Sequence, residues 1–167
     1  HSIQVKSQVD WNWTLGQSFT IRMRVSERFR TWGNMFRSEL RGDFAYASGP
    51  FVVTMRLNTL HCEKIALAGY LEQGYKTDRF SVYTRQTIFK VDDWDDRIYV
   101  YERDAPGSFN VPALYGRGWS ASLVASAKIA SLLRLYARAS YTGYHLMPAE
   151  IRKPGKAELK LQMVFRF

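Results

Sequence analysis

The sequence predicts an all-β fold: an antiparallel up-and-down transmembrane β-barrel of about nine strands, or the open C-terminal part of one. Three observations carry this expectation. Successive stretches alternate apolar and polar residues with a period of two, which makes strands that are greasy on one face and polar on the other. Hydrophobic residues form 46% and aromatics 15% of the 167 residues, yet the mean hydropathy is −0.30. No run reaches the roughly 18 apolar residues that a transmembrane helix needs.

The first run sets Ile3, Val5, Val9, Trp11 and Trp13 against Gln4, Lys6, Gln8, Asp10 and Asn12, and turns at Gly16. The second sets Phe19, Ile21, Met23, Val25 and Phe29 against a face carrying Arg22, Arg24, Arg28 and Arg30; Glu27 breaks the apolar side and is expected near an interface. After Trp32, Gly33 and Asn34, a third run opposes Phe36, Leu40, Phe44 and Tyr46 to Arg37, Glu39, Arg41 and Asp43, whose alternating signs suit cross-strand ion pairs. Ser48, Gly49 and Pro50 turn into a fourth run, with Phe51, Val53, Met55 and Leu57 against Thr54, Arg56 and Asn58. In the fifth, Ile65, Leu67, Gly69 and Leu71 oppose Ala66, Ala68, Tyr70 and Glu72. The sixth, residues 80 to 91, is ambiguous, because Phe80, Val82 and Ile88 compete with Tyr83, Phe89 and Val91 for the apolar face.

A long loop over residues 92 to 115, broken by Pro106, Gly107 and Pro112, precedes a seventh run at 119 to 127, whose Ala and Leu content also suits a helix. The eighth opposes Leu133, Leu135, Ala137, Ala139 and Tyr141 to Arg134, Tyr136, Arg138, Ser140 and Thr142. A second loop, 146 to 156, leads to the ninth run, where Leu159, Leu161, Met163, Phe165 and Phe167 share a face opposite Lys160, Gln162 and Arg166. A terminal strand has little left to cover that row, and a bilayer would cover it. Leu161, Met163, Phe165 and Phe167 resemble the assembly signal of bacterial outer-membrane β-barrels. The blander alternative is the last strand of a soluble sandwich or lipocalin-like barrel.

With the end of the chain in the periplasm, both long loops point outward and every inward turn is short, the asymmetry expected of an outer-membrane barrel. Trp11, Trp13, Phe44, Tyr46, Phe51, Phe165 and Phe167 gather at the inward ends, where an interfacial girdle belongs. Residues 1 to 167 are expected to form one barrel domain. Nine strands is odd, however, so an N-terminal part of the same chain is expected to complete a larger barrel.

The formal charge of +9 is unevenly spread. Residues 92 to 104 hold Asp92, Asp93, Asp95, Asp96, Glu102 and Asp104 against Arg97 and Arg103, a local −4 that leaves +13 elsewhere. Cys62, the single cysteine, excludes an internal disulfide and a Cys-based metal cluster.

Within this acidic loop the words Asp96-Arg97-Ile98-Tyr99, Tyr101-Glu102 and Asp104, then Phe109, Pro112, Tyr115-Gly116 and Gly118, together with the closing residues 156 to 162, resemble a family of outer-membrane barrel proteins of Bacteroidetes-type bacteria that carry N-terminal helix-hairpin-helix motifs. The likeness covers about the last 75 residues. It implies a Gram-negative outer-membrane location, with outer-membrane lipid, lipopolysaccharide and the barrel assembly machinery as partners. The helix-hairpin-helix part, which would imply DNA contact, lies outside this sequence.

The loop carboxylates have three readings: calcium binding, for which they lack the spaced ligands and turn glycine of a known calcium loop; simple solvation; or folding inward to pair with the basic face, which is favoured. Tyr99, Tyr101, Phe109 and Tyr115 suggest a packed loop, since burying them offsets ordering entropy. The basic face (Arg22, Arg24, Arg28, Arg37, Arg41, Arg56, Arg134 and Arg138) suits a lumen that attracts an anionic solute or nucleic acid in a porin-like, transporting protein. Those arginines could equally pair with Glu39, Asp43, Glu72 and the loop to fill the interior. An outer-membrane rim hydrolase would need His61 or His145 beside the loop carboxylates; with no phosphate loop, serine elbow or His-Glu metal pair, a non-enzymatic protein without metal or cofactor is expected.

Overall fold

The computed structural model of the chain describes residues 3–31, 33, 35–146 and 153–165. It is all-β, with no α-helix among the described residues. The strands are β1 (Gln4–Leu15), β2 (Phe19–Arg30), β3 (Met35–Ser48), β4 (Phe51–His61), β5 (Ile65–Lys76), β6 (Phe80–Val91), β7 (Ile98–Tyr99), β8 (Ala113–Leu114), β9 (Gly116–Lys128), β10 (Leu133–Leu146) and β11 (Gly155–Phe165). Nine of them form one antiparallel up-and-down sheet in chain order, β1 to β6 followed by β9 to β11, while β7 and β8 pair separately.

Register explains why the two faces differ. One cross-strand row runs Trp13, Ile21, Phe44, Met55, Leu71, Gln86, Ala121, Tyr141, Ala157. One residue over, the row runs Asn12, Arg22, Asp43, Arg56, Tyr70, Thr87, Ser120, Thr142, Lys156. Because side chains alternate across the sheet, the first row and its parity mates make an apolar face and the second a polar one. Tight turns set this register: Gly16 and Gly49 take φ of +63° and +54°, a left-handed conformation that costs glycine least.

The apolar face is uncovered. Leu159, Leu161, Met163 and Phe165 are 75, 73, 65 and 57% exposed. The molecule exposes 11177 Å² in all, against about 8500 Å² for a compact monomer of 19.4 kDa. At the short-turn end the aromatics of this face touch: Phe19 with Phe44 and Tyr46, and Tyr75 with Phe51 and Phe80.

While β1 is exposed along its whole length, residues 92–115 cover the polar face over β4 to β6, β10 and β11. There Ile98, Val100 and Leu114 pack on Leu60, Ala66, Ala68, Phe89 and Val91 of the sheet. Each such burial contributes about 1.5–3 kcal/mol, so this cluster holds the loop down as a second layer.

Four expectations are corrected or resolved. The sheet does not close: β1 pairs only with β2, and β11 only with β10. The 119 to 127 stretch is strand, not helix, because both β6 and β10 pair with it over its whole length. In β6, Phe80, Val82 and Ile88 lie on the apolar face, while Phe89 and Val91 turn inward beneath the loop. The loop is packed, but of the aromatics expected only Tyr115 packs against the core; Tyr99, Tyr101 and Phe109 are 52, 54 and 84% exposed. Its extended backbone alternates, so Ile98, Val100 and Glu102 face the sheet and the tyrosines between them face away. Glu27 lies in a polar row with Ser7, Ser38 and His61, near the strand ends from which the long loop emerges. Phe167, Arg166, Trp32, Asn34 and the centre of the 146 to 156 loop fall outside the described residues.

Candidate functional site

The site is the polar face together with the loop over it. The loop enters through a single 3-10 turn, Trp94–Asp96, which Asp93 caps by accepting the Asp95 N–H at 3.0 Å. This turn delivers Asp96, fully buried, to the bend between β4 and β5. Its Oδ1 accepts the N–H groups of Cys62 at 2.6 Å and Glu63 at 3.2 Å, and its Oδ2 accepts that of Lys64 at 2.6 Å. A carboxylate is the one side chain that accepts without donating, so three converging donors fix it. Burial first, and then the neighbouring Asp96, Glu63 and Asp95 carboxylates, push the Cys62 thiol up, which leaves it a poor nucleophile.

From β5 to β11 the face is held by carboxylates. Glu72 accepts from Arg85 at 2.6 and 2.9 Å through one oxygen and from Arg103 at 2.7 Å through the other. Arg85 also donates to the Tyr101 carbonyl at 2.7 Å and lies 4.1 Å from the centre of the Tyr70 ring. Arg138 meets Glu102 at 2.5 Å, and both side chains are about nine-tenths buried. Lys160 reaches Asp104 at 3.0 Å, and Gln162 donates to the Pro106 carbonyl at 2.9 Å. Burial works against the charge on Asp104, yet the Ala105 N–H and the Lys160 ammonium outweigh it and hold the carboxyl below its ordinary range. At the loop's start the Arg117 guanidinium, bound to both oxygens of Asp92 at 2.6 and 2.7 Å, lowers that carboxyl too. Further along, Asp43 takes Arg41 at 2.7 Å and Arg56 at 2.5 Å, and Asp10 takes Arg24 at 2.6 Å.

One part of the face is built differently. Lys6, Arg28 and Arg37 stand directly opposite one another across β1, β2 and β3, with Gln4, Arg30 and Met35 in the next row of the same face. Arg37 donates to two carbonyls, those of Asp95 at 3.4 Å and Arg97 at 3.0 Å. Arg30 donates to the amide oxygen of Gln4 at 3.0 Å. Arg97 donates to the Tyr99 hydroxyl at 2.7 Å and the Trp94 carbonyl at 2.8 Å, with its guanidinium 4.5 Å from the Trp94 ring; the Asp95 carboxylate is a distant 3.8 Å. Arg28 is half-buried and pairs with nothing among the described residues. Arg28, Arg30, Arg37 and Arg97 line one cavity of about 510 Å³, against two acids, Glu39, engaged by Asn58 at 3.1 Å, and Asp95, 3.8 Å from Arg97.

Of the expected basic face, Arg24, Arg41, Arg56 and Arg138 are therefore ion-paired, Arg37 is bound to carbonyls, Arg134 donates to the Asp78 carbonyl at 3.3 Å, Arg22 is exposed and Arg28 has no partner among the described residues. Among the loop acids Glu102 and Asp104 bind the sheet, Asp92 binds Arg117, Asp93 and Asp96 bind backbone, and half-buried Asp95 lies 3.8 Å from Arg97. Among the described residues no three His, Cys, Asp or Glu side chains converge as metal ligands, and neither His61 nor His145 hydrogen-bonds a carboxylate. Sequence reasoning passed over Arg85, Arg97, Arg117 and Lys160. Arg85 was legible in principle, since it shares parity with Ser81 and Thr87 in β6; the other three gain their roles from contacts 25 to 56 residues away or from the turn geometry. No family model, curated protein or solved structure matches the chain.

Proposed function

We propose that this chain is a bilayer-spanning β-barrel segment of an outer membrane, whose polar interior, narrowed by the 92–115 loop, binds or passes anionic solutes. The single observation that carries the reading is the orientation of the faces. Trp, Phe, Leu, Met and Ile side chains are spread over all nine strands on the uncovered side, and the guanidinium side is the one that carries a lid. Such an exposed apolar sheet far exceeds the few hundred Å² that a monomer in water tolerates, and acyl chains are the solvent that suits it.

The aromatic contacts at the short-turn end support an interfacial belt. Strands of 11 to 14 residues are long enough to cross when tilted. Hydrocarbon tolerates no unpaired edge, so β1 and β11 require further strands, in keeping with the larger barrel of the resembled family. Assembly by the barrel machinery and contact with lipopolysaccharide follow from that placement. The soluble alternative, a barrel enclosing a hydrophobic ligand, needs Phe19, Met55 and Phe165 on the covered side, whereas they are 40, 43 and 57% exposed.

The test is flotation of the full chain with liposomes after a urea wash, followed by current measurements across a planar bilayer under a salt gradient. Insertion with an anion-selective reversal potential is expected. Recovery in the unbound fraction would remove the membrane reading, and insertion with cation preference or no current would remove anion passage.

A further inference from the structure

We infer that the cavity between the start of the loop and β2–β4 is a site for an extended oxyanion charged at two or more centres, of the di- or polyphosphate type; this rests on the anionic-solute reading above. The first ground is charge without compensation. Lys6, Arg28 and Arg37 face one another across three strands, where like charges are unfavourable. A few residues away the opposed pair Arg24 and Arg41 is relieved by Asp10 and Asp43, but the Lys6–Arg28–Arg37 row has no acid of its own.

The second ground is pre-orientation. Arg37 and Arg30 are fixed by carbonyl and amide oxygens, and Arg97 by the Tyr99 hydroxyl and the Trp94 carbonyl with the Asp95 carboxylate 3.8 Å away; neutral acceptors hold a guanidinium in place without cancelling its charge. Planar forks held this way bind phosphate oxygens two at a time. The third ground is shape. Cations on adjacent strands lie about 5 Å apart; Arg28, Arg30, Arg37 and Arg97 line the cavity of about 510 Å³, and exposed Lys6 carries the row beyond its edge to about 10 Å, a spread too wide for one tetrahedral anion and suited to a chain of phosphates.

The experiment is calorimetric titration of the full chain in detergent micelles with inorganic tripolyphosphate, monophosphate and citrate. Trp94 emission serves as a second readout, because its ring stacks on Arg97. One-to-one tripolyphosphate binding is expected, at least tenfold tighter than monophosphate and tighter than citrate. Arg28→Gln, which loses no hydrogen bond, and Arg97→Gln should each weaken it fivefold or more, and Arg24→Gln less than twofold. Equal weakening by Arg24→Gln and Arg28→Gln, or no saturable binding by folded protein, would overturn the site; tighter citrate binding would overturn the phosphate assignment. If tripolyphosphate binds as expected but liposome flotation fails, the membrane reading falls and the site stands.

Discussion

Two regions of the polar face, its β11 side and the loop-side end of β1 to β3, handle their cations in opposite ways. Toward β11, Arg85, Arg103, Arg138 and Lys160 each meet a carboxylate, and two of those carboxylates, Glu102 and Asp104, come from the loop. At the loop-side end of β1 to β3, Arg30 and Arg37 meet neutral oxygens, Arg97 meets neutral oxygens at 2.7 and 2.8 Å and a carboxylate only at 3.8 Å, and Arg28 meets none among the described residues. A paired charge is spent on holding the lid in place, whereas a charge fixed by neutral acceptors still attracts an outside anion. The difference separates the structural arginines from the ones that can act on a solute, and composition alone counts both alike.

The comparison breaks most sharply at Arg138. Removing one member of a buried pair strands the other, at a cost of about 3–5 kcal/mol. Arg138→Met leaves Glu102 with only the Asn110 amide, at 3.0 Å. Urea unfolding in micelles should show a loss of that order, and a loss below about 1 kcal/mol would mean that the pair is already solvated and the lid rests on its apolar cluster alone.

Asp96→Asn comes next. The amide keeps one acceptor but presents an NH2 to backbone donors, so at least one N–H at residues 62–64 loses its partner, at about 1–3 kcal/mol. Because the damage lies at the lid's entry, protease cleavage within 92–115 should rise before the sheet unfolds. Cleavage unchanged from wild type would show that the latch is not what seats the loop.

How far the sequence foretold this division depends on where each signal lives. Strand parity is local: Arg22, Arg24, Arg28, Asp43 and Arg56 fall on one face because alternation puts them there, and seven of the nine runs carried that alternation plainly, the 119 to 127 run leaving a helix open. β6 did not, because Phe89 and Val91 sit where the loop makes the inner face apolar, and no pattern within residues 80 to 91 encodes a lid. The loop's inward fold followed from charge balance, but its anchoring did not. Asp96 reads as one acid among six until the turn 32 to 34 residues earlier offers its N–H groups. The mistaken weight on Tyr99 and Tyr101 has the same root: aromatic content says that a segment packs, and only the third dimension says which side does so.

A smaller effect is expected from acid. Asp92 and Asp104, both outside the long strands, have carboxyls held below their ordinary range, Asp92 by Arg117 and Asp104 by the Ala105 N–H and Lys160 against the opposing effect of burial. A depressed folded value means that their stabilisation is complete above the unfolded value of about 3.9 and is lost as the pH falls through the folded one. Deuterium uptake of residues 92–115, corrected for intrinsic exchange, should therefore stay flat from neutral pH to about 4 and rise below it. Loosening already at pH 6 would assign the lid to some other titrating group.

The smallest effect reverses sign, and it sharpens the comparison most. Arg28 gives no hydrogen bond and faces Lys6 and Arg37, so replacing it removes only repulsion. Relief of a directly opposed like-charge contact is worth about 0.2–1 kcal/mol. Arg28→Gln should thus raise the unfolding midpoint slightly in low salt, and the gain should shrink as salt screens the row. Arg24→Gln should instead lower it slightly, because Asp10 then loses its charged partner and keeps only the Gln8 amide. A destabilised Arg28→Gln protein would mean that this arginine already has a counter-charge in solution, and the distinction between the two regions of the face would go with it.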